Sequence, residues 1–238
     1  MYPPMKERSK VKNLDDVWIV IAAYNEAEVI GNVICQLIDE VTPNVLVVDD
    51  GSVDDTKQKA VQAGAIVIRH SQNLGQGAAI QTGFSYLCNK EFSYAVTFDA
   101  DGQHQYQDVY KMVELANSSK ADIILGSRFL GKTENMSARK KILLSLAVAF
   151  TNLTSGVKLT DSHNGLRLLT RETVHKITID QQGMAHASEF IHEIAKHDLK
   201  WKEIPVTIKY TEYSVSKGQR LSNSISIILD LIIRKLYK

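Results

Sequence analysis

Asp99-Ala100-Asp101 places two carboxylates one residue apart, directly after the apolar run Ala95-Val96-Thr97-Phe98. Such a pair can meet one hard cation, and Mg2+ or Mn2+ is commonly held by one or two carboxylates together with substrate phosphates. An Asp-x-Asp triplet alone carries little weight, because surface loops are rich in aspartate. The buried-type run before it and Gly102-Gln103-His104 after it give it a defined setting. Asp49-Asp50-Gly51-Ser52 is a second acidic group, following Val45–Val48. Its carboxylates can accept from a base N–H or ribose hydroxyls, while Ser52 or Asp54 can cap the next helix. Asn73-Leu74-Gly75-Gln76-Gly77 either brings backbone close to a ligand or simply starts a helix. It lacks the Gly-Lys-Ser/Thr of a P-loop and the GxGxxG spacing of nicotinamide binding. His104 is close enough to the triplet to meet a metal-bound diphosphate. His163, His186 and His192 show no metal-ligand spacing and read as structural.

These groups need a scaffold, and the first half of the chain supplies one. Val17–Ala23 is a continuous apolar run, as in a strand buried on both faces. Asn25 is placed to cap a helix in which Val29, Ile30, Val33, Ile34, Leu37 and Ile38 recur at helical spacing. Further strands are expected at Val45–Val48, Ile66–Ile68, Tyr94–Phe98 and Asp122–Leu125. Helices are expected from about Asp54 to Gly64, from the glycine loop to Cys88, and over Asp108–Asn117. Alternating strands and helices imply βαβ units and a mostly parallel, Rossmann-like central sheet flanked by helices. Ligands then bind at the carboxyl ends of the strands, where the polar clusters lie. The second half is less regular. A basic stretch, Arg128–Lys141, precedes a small helix at Ile142–Leu153. Asp161–Arg167 reads as a loop entering a strand, Ala187–His197 as a helix, Glu203–Tyr210 as a strand, and the tail from Ser222 as an amphipathic helix.

The 238 residues are 44% hydrophobic and 23% charged, the mix of a globular α/β chain with a sizeable core. A net charge of +1 argues against nucleic acid as a partner. Cys35 and Cys88 form no metal or redox motif, and Cys35 reads as a buried thiol. The polar start, residues 1–16, has no apolar core of a signal peptide.

Together Ala23-Tyr24-Asn25-Glu26, Asp49–Thr56, Asn73–Ile80 and Asp99–His104 resemble the family 2 inverting glycosyltransferases with the GT-A fold. Gly126-Ser127-Arg128-Phe129 and Asp161–Arg167 narrow the resemblance to the dolichyl- or polyprenyl-phosphate sugar synthases. It runs from about Val17 to Tyr210, with Ala22-Ala23 standing where the family has a proline. The resemblance implies a hexosyltransferase using Mg2+ or Mn2+, a nucleotide diphosphate sugar (UDP- or GDP-linked) and a polyprenyl phosphate. It implies a nucleotide-sugar pocket of Ala22, Tyr24, Glu26, Asp49 or Asp50, Gly51, Asn73, Gly77, Asp99 and Ala100. By the same resemblance Asp101 would bind the metal, with Asp99 and Gln103 beside it. Arg128 and a cation among Arg139, Lys140 and Lys141 would face the phosphates. The family's basic residue precedes a serine by four positions, which Lys141 and Ser145 match.

An anionic acceptor fits what is missing. Transfer to a sugar hydroxyl needs a carboxylate base, whereas a phosphate monoester is already charged at neutral pH. Cations dominate Arg128–Lys141, and the Gln-x-x-Arg-Trp of processive synthases is absent; Glu189 is the one carboxylate weighed as a base. The alternatives are a saccharide acceptor, as in O-antigen or capsule assembly, and a nucleotide-sugar-binding protein without turnover. The expected organisation is an extension at 1–16, a catalytic unit at 17–212 and a basic amphipathic segment at 213–238. That segment would contact a membrane surface, a second subunit or a small integral membrane protein, keeping the chain peripheral on the cytoplasmic face.

Overall fold

The computed structural model describes residues 14–181, 185–210 and 213. The amphipathic segment expected from residue 213 onward, Tyr213 apart, and the first thirteen residues lie outside this range. Fourteen elements follow one another: β1 (Val17–Ala23), α1 (Ile30–Glu40), β2 (Val45–Asp49), α2 (Thr56–Gln62), β3 (Ile66–Arg69), α3 (Gln76–Leu87), β4 (Tyr94–Thr97), α4 (Gln107–Ser119), β5 (Ile123–Glu134), α5 (Ala138–Ser155), β6 (Arg167–Thr170), α6 (Arg171–Lys176), α7 (His186–Lys196) and β7 (Trp201–Lys209). The strands form one seven-stranded sheet in the order β3-β2-β1-β4-β6-β5-β7. All neighbours run parallel except β6, which is antiparallel to both β4 and β5. The expected mostly parallel sheet flanked by helices is therefore present.

Alternation within β1 divides the core. Val17, Ile19 and Ile21 join α1 and α4 on one face, while Trp18 and Val20 join α3 and α7 on the other. Burying both faces is what the unbroken apolar composition of β1 and β2 demands. Leu14 and Asp16 are hydrogen-bonded into this body through Val41 and Ser93. Cys35 is half-buried rather than buried.

Three elements depart from the periodicity. α1 begins at Ile30 without a side-chain cap, because Asn25 is turned to φ 55° and gives its side-chain oxygen to the Val53 amide at 2.9 Å. β5 runs on to Glu134 instead of ending at Leu125, pairing with β7 across an irregularity between Ser127 and Lys132. α5 starts at Ala138, four residues before Ile142. Ser137 caps it by accepting from the Lys140 amide, so Arg139, Lys140 and Lys141 form its first turn.

Candidate active site

Backbone turns at the carboxyl ends of β1, β2 and β4 converge on a cleft of about 490 Å³. It is lined by Ala22, Ala23, Tyr24, Glu26, Asp50, Asn73, Gly75, Gln76, Asp99, Ala100 and Asp101. The turns brace one another. The Ser52 hydroxyl accepts from the Asn25 amide at 2.9 Å, and Thr56 Oγ1 accepts from the Glu26 amide at 2.8 Å. Ser52 thus ties strand ends together rather than capping α2.

The two aspartates after β2 divide their work. Asp50 faces the cleft and accepts from the Leu74 amide at 2.9 Å and the Gly75 amide at 2.7 Å. It also pairs with His70, whose other ring nitrogen meets Thr82. Asp49 is fully buried and outside the cleft lining. It accepts from the Ser52 amide and lies 3.4 Å from Arg69. Gly51, at φ +73°, packs against the Gln72 backbone, so its contribution is the turn itself. Gly77 is correspondingly a packing residue: an added Cβ would lie 2.0 Å from the Gln181 carbonyl oxygen. Asn73, the left-handed Gly75 (φ +96°) and Gln76 are the members of the glycine loop that line the cleft.

Asp99 and Asp101 are unequal. Asp99 receives His104 Nε2 at 2.8 Å and Gln76 Nε2 at 3.3 Å. Burial opposes its charge, but His104, Arg128 and Arg167 outweigh that and hold its carboxyl below the usual range. Burial and the adjacent Asp99 push Asp101 up to about 6. Gln103 donates to Asp101 from both its backbone and its side chain. Among the described residues no cluster of three or more His, Cys, Asp or Glu could hold a metal unaided. The pair nevertheless fits a divalent cation that shares its shell with phosphate oxygens. Burial and the charge of Asp99 together lift Asp101, and a bound cation would offset both. His104 Nδ1 is buried without a protein partner.

Behind the acidic pair lie cations. Arg128 is nearly buried and donates to Asp161 at 2.6 Å, to the His163 carbonyl at 2.8 Å and to the Tyr210 hydroxyl at 3.2 Å. Burial works against its charge, and Asp161 and Tyr210 more than restore it. Arg167, which enters from β6, bonds only carbonyls at 3.1 Å and 3.4 Å and lies over the Phe190 ring. Burial pulls it to about 10, still charged at neutral pH. Lys140 sits 4.1 Å over the Tyr210 ring. Its pKa is lowered by burial and by Arg128, and Asp101 opposes the shift. Of Arg139, Lys140 and Lys141, Lys140 is therefore the cation that turns inward. Arg139, Lys141 and Ser145 are exposed, and the Ser145 hydroxyl donates to the Lys141 carbonyl at 2.9 Å. The family's spacing fits Lys141 and Ser145, and the structure leaves both exposed on α5. Glu189 accepts from the Asp180 and Gln181 amides and is committed there.

Several contributors were not foreseen from spacing. Gly165 admits Asp99 where a Cβ would meet its carboxylate oxygen at 2.3 Å, and the Gly165 carbonyl takes the Thr97 hydroxyl at 2.6 Å. Tyr213 reaches back to donate to Glu26 at 2.7 Å. Only the type of residue in Asp161–Arg167, small and polar before a strand, hinted at a site role.

Nucleotide-type turns at one sheet edge, with a paired-aspartate cleft, define a GT-A-like sugar-transferase fold. The solved structure of glucosyl-3-phosphoglycerate synthase from Mycobacterium tuberculosis, in complex with Mn2+, UDP-glucose and phosphoglyceric acid, superposes with a TM-score of 0.71. The match covers 92% of this chain and 79% of that one at 18% identity. Residues 18–178 match glycosyl transferase family 2, and the chain belongs to that family. The UDP-N-acetylglucosamine–dolichyl-phosphate N-acetylglucosaminyltransferase of Methanococcus voltae is 31% identical, over 93% of this chain and 97% of its own. The polyprenol monophosphomannose synthase of Mycolicibacterium smegmatis is 28% identical, over 84% of this chain and 79% of its own. The chain is thus a glycosyltransferase that groups with the polyprenyl-phosphate sugar synthases.

Proposed function

We propose that this chain transfers a hexosyl unit, with inversion, from a nucleotide diphosphate sugar to a polyprenyl phosphate at the cytoplasmic face of a membrane, for cell-surface glycan synthesis. The observation that carries it is the charge layout: an acidic pair on the cleft side, and Lys140, Arg128 and Arg167 behind it. Among the described residues on that cationic side, Glu189 is engaged with two amides and Asp161 with Arg128, so neither is placed to act as a base. A nucleophile that arrives already anionic needs no base. Its phosphate oxygen attacks the anomeric carbon, and the bond from that carbon to the diphosphate oxygen breaks. The electron pair leaves with the nucleoside diphosphate.

Tyr24, Glu26, Asp50 and Asn73 line the place for base and ribose, and Asp99, Ala100 and Asp101 the place for the diphosphate. Asp99, Asp101 and Gln103 would hold Mg2+ or Mn2+, which supplies charge neutralisation to the departing diphosphate. Lys140, with the two remaining N–H groups of Arg128, draws the acceptor phosphate to the opposite side. A uridine donor is favoured, because the Methanococcus voltae relative is named for one.

The test is an assay with several UDP- and GDP-sugars and a short-chain polyprenyl phosphate, with and without Mn2+. Metal-dependent product on the lipid phosphate is expected. Product only on an added glycan would replace this acceptor with a saccharide, and no product with any donor would leave a binding protein. Titration calorimetry should show that Asp101→Ala no longer binds UDP in response to Mn2+. Undiminished binding by that variant would remove the metal site.

A further inference from the structure

α5 turns one row of its apolar side chains outward. Val148 and Thr151 alone are buried along it, whereas Ile142, Leu146 and Leu153 are 63%, 60% and 82% exposed. With the exposed Ala149 they recur at helical spacing and form one stripe about 16 Å long. The charge around the stripe is one-sided. Between Glu134 and Asp161 the chain carries Arg139, Lys140, Lys141 and Lys158 and not a single acid. Arg139 and Lys141 are exposed at the head of the stripe, while Lys140 between them turns onto Tyr210.

That charge selects the occupant. A second copy would set a basic rim against itself. Residues 214–238 carry Lys217, Arg220, Arg234, Lys235 and Lys238 against the single acid Asp230, and would likewise add like charge. Anionic headgroups complement the rim, and apolar side chains on a basic helix sink into the headgroup–acyl boundary. We propose that the outer face of α5 is the surface by which this chain lies on an anionic bilayer, with Ile142, Leu146 and Leu153 inserted. The surface is continuous with the cationic side of the site, because the first turn of α5 also supplies Lys140, which lies over Tyr210 beside Arg128. Only the meaning of that continuity rests on the polyprenyl-phosphate reading; bilayer binding is measured without sugar transfer.

The full chain is floated with vesicles of phosphatidylglycerol mixed equally with phosphatidylcholine, and with phosphatidylcholine alone. The wild type is expected to float with the anionic vesicles. The double variant Leu146→Glu/Leu153→Glu should lose about tenfold or more of the bound fraction. Its melting temperature and its transfer to a water-soluble short-chain acceptor should stay unchanged. Equal flotation of variant and wild type overturns the proposal, as does a wild type that does not float. So does a full-chain Ile228→Glu/Leu229→Glu variant that loses flotation while the α5 variant keeps it, since the tail would then be the anchor. A wild-type dimer that the α5 variant dissolves without loss of vesicle binding makes the face a subunit contact instead. Flotation without transfer to any lipid phosphate would sink the acceptor assignment and leave this surface standing.

Discussion

Two carboxylates one residue apart share a cleft here and behave differently. Asp99 is kept anionic by His104 and two arginines, and Asp101 is lifted to about 6 by its burial and by the like charge of Asp99 beside it. The triplet was legible in the sequence; the asymmetry was not, since its causes arrive from residues as distant as Arg128 and Arg167. Gly165 shows the same limit. Its need to lack a side chain appears only when β6 brings it against Asp99. Gly165→Ala should displace that carboxylate and lower stability by about 1–3 kcal/mol, as overpacking does. Weakened Mn2+-dependent nucleotide binding should accompany the lower melting temperature. A silent variant would show that the loop yields. His163 carries a pH signature. Burial, with Arg167 and Arg128 adding to it and Asp161 resisting, lowers its pKa to about 4, against about 6.5 in an unfolded chain. Between those values the unfolded chain binds more protons, so stability falls as the pH drops through that window. His163→Asn should lose less stability than the wild type between pH 7 and pH 4.5, by about 1–2 kcal/mol. Thermal melts at the two pH values measure this.

α5 and the far half of β5 are where periodicity misled. Helical spacing of apolar residues begins at Ile142, but the helix begins where Ser137 caps it, and a cap leaves no periodic signal. In those four extra residues Lys140 packs over Tyr210 and Lys141 is exposed, which singles out one of the three cations that the sequence left open. β5 continues through the polar residues Lys132–Glu134 because β7 gives its backbone a partner, information no local pattern contains. The buried parallel strands, by contrast, were readable because each is a short unbroken apolar run. The prediction at this scale compares two neighbours. Lys140→Ala should reduce kcat/KM for the lipid-phosphate acceptor about tenfold or more, and Lys141→Ala less than about threefold. Equal effects in steady-state assays would mean that α5 presents both residues to the acceptor.

Across the whole molecule the sheet has two unlike halves. β1 to β4, with their connecting helices, build the cleft proposed for the donor and followed legibly from alternating strand and helix signals. β5 to β7 and α5 bring the cations, and their mixed strand directions were not readable. Because the cleft is assembled from turns that brace one another, filling it should stabilise the entire fold. UDP with Mn2+ at a hundred times its Kd should add about 2.7 kcal/mol, seen as a rise in melting temperature that a chelator abolishes. No rise with UDP, GDP or their sugars would argue against the cleft as the donor site. The reversed direction of β6 has a further effect. Outgoing strands bring their last residues to the reactive edge, whereas β6 arrives there with its first, setting Arg167 opposite Thr97. The counter-charge beneath Asp99 is therefore a matter of strand polarity. The same residues laid in the opposite direction would offer the neutral Thr170 in its stead, and the aspartate would stand over an uncharged floor.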